Sequence, residues 1–277
     1  MTYALFPGCK SGFYLPRYKT SSQAVLSALD LELTELAFNC CGYPMRDKSL
    51  RSYLLLAVRN LAMAEEQGLP ILTLCKCCFG ALKHADHYFK QDPVMKEMIT
   101  GLLEEEGLHY RGTTEIRHIL TVLDRERDTL RKLIKKPLTR LKIAPHYGCH
   151  ALRPSNITGF DTPHSPKIFE RIIRLTGATP LEWSRRLECC GDPLHEKNST
   201  MSRTILQRKM DSARQAGADM ICSACNYCQL QFDHPPLPMT REPLENPIPS
   251  ILVSELLGLA MGLPEKELGI PAPFLED

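Results

Sequence analysis

No apolar run in this chain is long enough to cross a bilayer. The most apolar stretch, residues 251–263, carries Glu255 and falls well short of the roughly 20 residues a spanning helix needs. No basic, apolar leader opens the sequence either: Met1 is followed by Thr-Tyr-Ala-Leu-Phe-Pro-Gly. A secretory signal is therefore not expected, and a cytoplasmic location is. The net charge is only +2, too small for the basic surface that nucleic acid or a polybasic membrane site would require. Neither G-x-G-x-x-G nor G-x-x-x-x-G-K occurs. Flavin or nicotinamide chemistry would have to sit on another subunit.

Cysteine, in contrast, is abundant and patterned. Cys40-Cys41-Gly42 returns as Cys189-Cys190-Gly191, each preceded by a single cysteine (Cys9, Cys149) and followed by C-x-x-C (Cys75 with Cys78, Cys225 with Cys228). The offsets between copies are 140 positions for the first cysteine, 149 for the pair and 150 for the C-x-x-C. Ten of twelve cysteines thus form two five-membered sets of one design, an internal repeat. The 277 residues then divide into two halves, 1–138 and 139–277. With 43% hydrophobic and 24% charged residues, the composition is that of an ordinary globular protein. In a reducing compartment such clusters point to metal ligation or redox chemistry rather than structural disulfides.

Periodicity predicts strand–helix alternation in both halves. Strands are expected at 3–7, 31–38 and 71–74, and helices at 16–29, 50–66 and from near Cys78 onward. Residues 93–136 read as a charged, helical connection between the halves. The second half replays the pattern: strands at 141–147 and 219–222, an extended run at 180–183, and helices at 166–176 and 199–216, the last capped by Asn198 or Ser199. Residues 235–249 are proline-rich and read as irregular. A final amphipathic helix is expected over 250–261, followed by an irregular tail. The fold class is α/β, each half a small, mostly parallel sheet flanked by helices.

Aligning the halves chooses among the downstream cysteines. Cys41 to Cys75 is 34 positions and Cys190 to Cys225 is 35, whereas Cys222 would give 32. Cys77 and Cys222 therefore read as small buried residues beside the site. Five thiolates per half exceed the four that a tetrahedral zinc or a cubane iron–sulfur cluster takes. Soft donors favour iron–sulfur over a hard metal. Spacing goes no further.

The repeated motif resembles the cysteine-rich CCG domain, and its two-copy arrangement resembles the B subunit of heterodisulfide reductase. Tyr147-Gly148-Cys149-His150-Ala151-Leu152-Arg153-Pro154, Leu74-Cys75-Lys76-Cys77-Cys78-Phe79-Gly80 and Cys225-Asn226-Tyr227-Cys228-Gln229-Leu230-Gln231 carry the likeness, which spans nearly the whole chain. The resemblance implies two noncubane 4Fe-4S clusters. One would be held by Cys9, Cys40, Cys41, Cys75 and Cys78, the other by Cys149, Cys189, Cys190, Cys225 and Cys228. It implies cleavage of a disulfide, the CoM-S-S-CoB heterodisulfide in methanogens. Electrons would come from a ferredoxin-like C subunit fed by a flavoprotein A subunit. His150, Arg153, Lys76 and His195 are candidates to orient an anionic substrate or stand at the pocket rim. Each has a plain alternative: a backbone cap for His150, a surface position for Lys76. Trp183 reads as core. Two rival readings remain. One is an iron–sulfur relay subunit of a lactate-, glycolate- or succinate-type oxidoreductase working toward quinone. The other is a scaffold holding one 4Fe-4S cluster and one zinc.

Overall fold

The structure is a computed structural model that describes residues 1–233, 244 and 246–270. The first half runs β1 (Thr2–Phe6), α1 (Cys9–Phe13), α2 (Pro16–Ala28), β2 (Glu32–Thr34), α3 (Leu50–Glu66), β3 (Ile71–Thr73), α4 (Lys76–Gln91), α5 (Pro93–Glu104), β4 (Ile116–His118), α6 (Ile119–Arg125) and α7 (Arg127–Leu133). The second runs β5 (Lys142–Pro145), α8 (Ser155–Thr158), α9 (Ile168–Leu175), β6 (Thr179–Pro180), α10 (Ser199–Gln215), β7 (Met220–Ser223), α11 (Asn226–Asp233), β8 (Ser250–Leu252), α12 (Val253–Met261) and α13 (Glu265–Leu268).

Each half builds a four-stranded, wholly parallel sheet, ordered β2-β1-β3-β4 and β6-β5-β7-β8. The register pairs Ala4 with Ile71 and Ile71 with Ile116, then Ile143 with Met220 and Ile221 with Ser250. The central strands are continuous apolar runs because helices cover both faces, as parallel sheets require. This order reverses direction between the first and third strand of each half. In such sheets a crevice opens there, at the carboxyl ends of the strands. Cys9 and Cys75 follow those two strands in the first half, Cys149 and Cys225 in the second.

Local chemistry holds these strand ends in place. The Tyr18 hydroxyl donates to the Leu74 carbonyl at 2.6 Å, one residue before Cys75, and the Tyr53 hydroxyl donates to Ala81 at 2.6 Å. Trp183 is buried, and its indole N–H donates to the Pro145 carbonyl at 2.9 Å. Asn198 caps α10 through the Met201 amide. The halves also interlock. The Ser21 and Ser254 hydroxyls bond at 2.7 Å, and Arg17 of α2 grips Glu255 of α12 and Asp233 of α11.

Five expectations need correction. Residues 93–136 are not helical throughout: Ile116–His118 is β4, the edge of the first sheet. Only residues 32–34 of the expected 31–38 strand pair with β1; the remainder approaches Cys40 without a partner strand. The helix expected over 250–261 begins at Val253, because residues 250–252 form β8. Helix α4 begins at Lys76, with Cys75 as its N-cap, rather than near Cys78. Three-residue strands carry too few alternations to register as a period. The tail expected to be irregular after residue 261 instead carries a short helix, α13, over Glu265–Leu268. Residues 235–243 and 245 of the expected irregular segment, and 271–277 of the tail, lie outside the described residues.

Candidate metal centres

The C-C-G motif is built around a left-handed glycine. Gly42 has φ +79° and Gly191 φ +93°, and each starts a short 3-10 turn, Tyr43–Met45 and Asp192–Leu194. A Cβ on Gly42 would sit 2.6 Å from the Tyr53 carbonyl oxygen, and one on Gly191 2.7 Å from that of Ser202. Only glycine permits both the dihedral and the approach of the turn to α3 or α10. The turn delivers the paired cysteines to the strand ends.

There the sulfurs form one continuous array per half. In the first, Cys9 Sγ lies 3.9 Å from Cys40 Sγ, and contacts continue through Cys41 and Cys78 to Cys75. In the second, the same sequence runs Cys149, Cys189, Cys190, Cys228, Cys225. The arrays meet at their ends, where Cys75 Sγ and Cys225 Sγ are 3.5 Å apart. All ten sequence-selected cysteines are therefore brought together, in two sets of identical connectivity.

The protons are unevenly shared. Hydrogen bonds from Cys41 and Cys9 pull the Cys40 thiol down to about 3, and those from Cys149 and Cys190 pull Cys189 down to about 2. Cys9 and Cys149 are pushed up by those same neighbours and by burial. Burial opposes ionisation of Cys225, but hydrogen bonds from Cys228, Cys75 and Cys77 carry it well below its usual range. Densely packed thiols that cannot all ionise, six of the ten buried, are the donor set of a thiophilic metal or cluster. The sulfur-dominated donor set fits an iron–sulfur group.

A small recess lies over the second array and the junction, lined by Lys76, Cys77, Tyr147, His150 and Tyr227 among others. Lys76 is buried, not a surface lysine, and its ammonium donates to the His146 carbonyl. His150 lies against the site: its Nδ1 is 3.2 Å from Cys149 Sγ and its Nε2 2.7 Å from Arg46. Burial and the Arg46 charge lower its pKa, so the ring is neutral near pH 7. Arg153 does not join them. It is exposed, outside the recess lining, and its backbone engages His84. His195, at the end of the second 3-10 turn, is half-buried and also outside the lining.

Three residues were not legible as site residues in the sequence. Cys77 lies with its Sγ 3.9 Å from Cys225 Sγ, and Cys75, Cys77 and Cys225 group closely enough to hold one ion. His146 is fully buried, with Nε2 3.3 Å from Cys228 Sγ, and groups with Cys190 and Cys228. Setting it opposite Phe6, its counterpart at the 140-residue offset, would have marked it as a polar intrusion into a core position. His118 at the end of β4 faces the Ala224 carbonyl with Nε2 at 3.1 Å, beside Cys225; burial lowers its pKa to about 3. Cys222 is buried on β7 and stands outside both groups.

Comparison with known proteins agrees with this layout. The model of the CCG cysteine-rich domain matches residues 3–83 and 143–233. The B subunit of a CoB-CoM heterodisulfide reductase from Methanosarcina acetivorans is 35% identical over 96% of this chain and 91% of the relative. The membrane anchor subunit of the 8-methylmenaquinol:fumarate reductase of Wolinella succinogenes is 32% identical over 97% of this chain and 95% of the relative. A hypothetical protein from Helicobacter pylori shares the fold, with TM-score 0.74, 16% identity, and coverage of 97% of this chain and 50% of that one. Among the described residues, no helix is long and apolar enough to cross a membrane.

Proposed function

The chain belongs to the two-copy CCG cysteine-rich family that includes the heterodisulfide reductase B subunits, and on that premise we propose that it is the disulfide-reducing subunit of a heterodisulfide-reductase-like complex. Each half acts as one domain, 1–138 and 139–277, and each five-cysteine array would hold one noncubane 4Fe-4S cluster. Such groups supply one-electron redox chemistry and an iron able to take up sulfur.

The observation that carries this reading is the meeting of the arrays at Cys75 and Cys225, 3.5 Å apart. Breaking a disulfide takes two electrons, and two adjoining one-electron centres of like design can provide them together. The recess beside the junction gives a substrate access. His150, neutral and pinned by Arg46, orients polar groups there, and the buried Lys76 ammonium attracts the negative charge that thiolate formation brings. Electrons come from a ferredoxin-like C subunit, supplied in turn by a flavoprotein A subunit, and the complex works in the cytoplasm. The substrate is CoM-S-S-CoB or a related small-molecule or protein disulfide.

A second reading is favoured by the Wolinella relative, whose name ties it to menaquinol and fumarate. On that reading the arrays of this chain relay electrons to or from quinone without cleaving a disulfide. Iron, acid-labile sulfide and zinc in protein prepared without oxygen test the cofactor. About eight irons per chain with matching sulfide supports two clusters, whereas about four with one zinc ends the two-centre mechanism. Reduction of a dithiol-derived disulfide by a reduced iron–sulfur donor then separates the readings, since a relay turns over quinone but not the disulfide.

A further inference from the structure

The two arrays share their cysteines but not their surroundings. The offsets that pair the cysteines also pair their buried neighbours. His146, against Cys228, stands where the first half has Phe6, which packs on Phe38 with ring centres 5.1 Å apart. Lys209 of α10, wholly buried, stands where α3 has Asn60, whose amide is spent on the Asn39, Cys40 and Leu56 backbone. Lys76, the first residue of α4, matches Asn226, the first of α11. Each reaches into the other half: Lys76 to the His146 carbonyl, Asn226 to that of Pro7 at 2.8 Å. The first array thus faces two amides and a phenyl ring. The second faces two ammonium groups and an imidazole.

We infer that the second array, of Cys149, Cys189, Cys190, Cys225 and Cys228, is the electron-accepting member of the pair, because Lys76, Lys209 and His146 favour added negative charge there. This rests on the proposal that each array holds an iron–sulfur group. Positive charge and hydrogen bonds to the sulfurs raise the reduction potential of such a group. His146 Nδ1 is buried without a partner, and Nε2 faces Cys228. A ligand thiolate only accepts, so the Nε2 atom carries the hydrogen. Lys209 lies over the Trp183 ring, 5.0 Å from its centre, and donates to the Arg185 carbonyl. Burial lowers its pKa to about 8 against the pull of Cys190 and Cys228, which leaves it cationic at neutral pH.

Opposing charges are more exposed and hence better screened. Glu188 is exposed and Asp192 half-buried on the second side. On the first, Lys10 is half-buried and held over the Tyr14 and Tyr227 rings. A one-electron iron–sulfur donor supplies the charge, one electron per step, with no bond made or broken in the transfer. Charge delivered to either array settles preferentially in the second, and two such steps load both.

The test is an EPR-monitored reductive titration of the full chain, prepared without oxygen and assayed for iron and sulfide. Cys41→Ser and Cys190→Ser identify the wave belonging to each array. The wild type should give two waves, the second array's at the more positive potential. Lys209→Asn and, independently, His146→Phe should each shift that wave negative and leave the other in place. Asn60→Lys should shift the first array's wave positive and narrow the gap. Coincident waves in a fully loaded wild type, or shifts of the wrong wave, would overturn the inference alone. A chain that carries no iron and sulfide would overturn it together with the proposed function.

Discussion

Cys75 and Cys225 occupy equivalent places in the two halves, and their sulfurs lie 3.5 Å apart. A contact between equivalents is self-complementary, as at a twofold interface. Each cysteine ends the third strand of its sheet, so the two crevices open toward each other. Two remote clusters could serve as separate relays; two that share a junction and a recess can act on one substrate.

That arrangement predicts different consequences for interior and junction cysteines. Cys41 lies inside its own array, in contact with Cys40 and Cys78. Serine there should lower iron from about eight to about four per chain and leave helical content unchanged by circular dichroism. Cys225 touches Cys75 and Cys77 as well as Cys228. Serine at Cys225 should therefore alter the spectra assigned to both arrays. If Cys225→Ser changed only one, the junction would have no electronic meaning.

Gly42 should tolerate no side chain. With φ +79° and the Tyr53 carbonyl oxygen 2.6 Å from a Cβ position, alanine meets both a dihedral penalty of about 1–2 kcal/mol and a backbone clash. Gly42→Ala should lower the thermal midpoint and halve iron loading, with the second array intact. Gly68 makes a control, since it has φ +63° but open space around it. Gly68→Ala should cost only the dihedral term and leave iron loading alone.

The ten cysteines and the strand–helix order were legible because each has a local cause. Spacing repeats at fixed offsets, and an amphipathic run such as Leu50–Glu66 declares its period. What stayed hidden depends on partners remote in sequence. Strand β4 is three residues long and exists through its pairing with β3. His146 and Lys209 are ordinary polar residues until the fold buries them against Cys228 and Cys190. Arg153, three positions after His150 and four after Cys149, turns outward instead. Proximity in sequence selected it; α8 opens two residues later, outside the recess lining.

Glu170 braces the loop that leads to Cys149. It accepts from the Tyr147 hydroxyl and, at 2.7 Å, from Arg186, whose backbone carbonyl accepts from the Tyr147 amide at 3.0 Å. Both charges are largely buried, with side-chain exposures of 6% for Glu170 and 14% for Arg186. Removing one partner strands the other. Glu170→Ala should cost about 3 kcal/mol, the lower end for a broken buried pair because Arg186 keeps some solvent. Denaturant unfolding measures it, and a loss under about 1 kcal/mol, the value of a surface pair, would mean that the pair is not a structural brace.

Arg17 holds the halves together through charge. Its guanidinium bridges Asp233 and Glu255, and Glu255 is wholly buried, with its other oxygen accepting the Leu252 amide at 2.9 Å to cap α12. Burial raises the Glu255 pKa even with Arg17 present, and Arg17 opposes that rise. Arg17→Met should cost about 3–5 kcal/mol where Glu255 is ionised, because the carboxylate is left buried without its counter-charge. The sign with pH follows. In the variant the folded state holds the Glu255 proton to a higher pH than the unfolded chain does, so stability falls as pH rises. The penalty should be largest near about pH 8 and shrink toward about pH 5, where the folded variant buries a neutral acid. Thermal midpoints of wild type and variant at the two pH values measure the difference. A penalty that is constant, or that grows on acidification, would show that Glu255 is not the group left stranded.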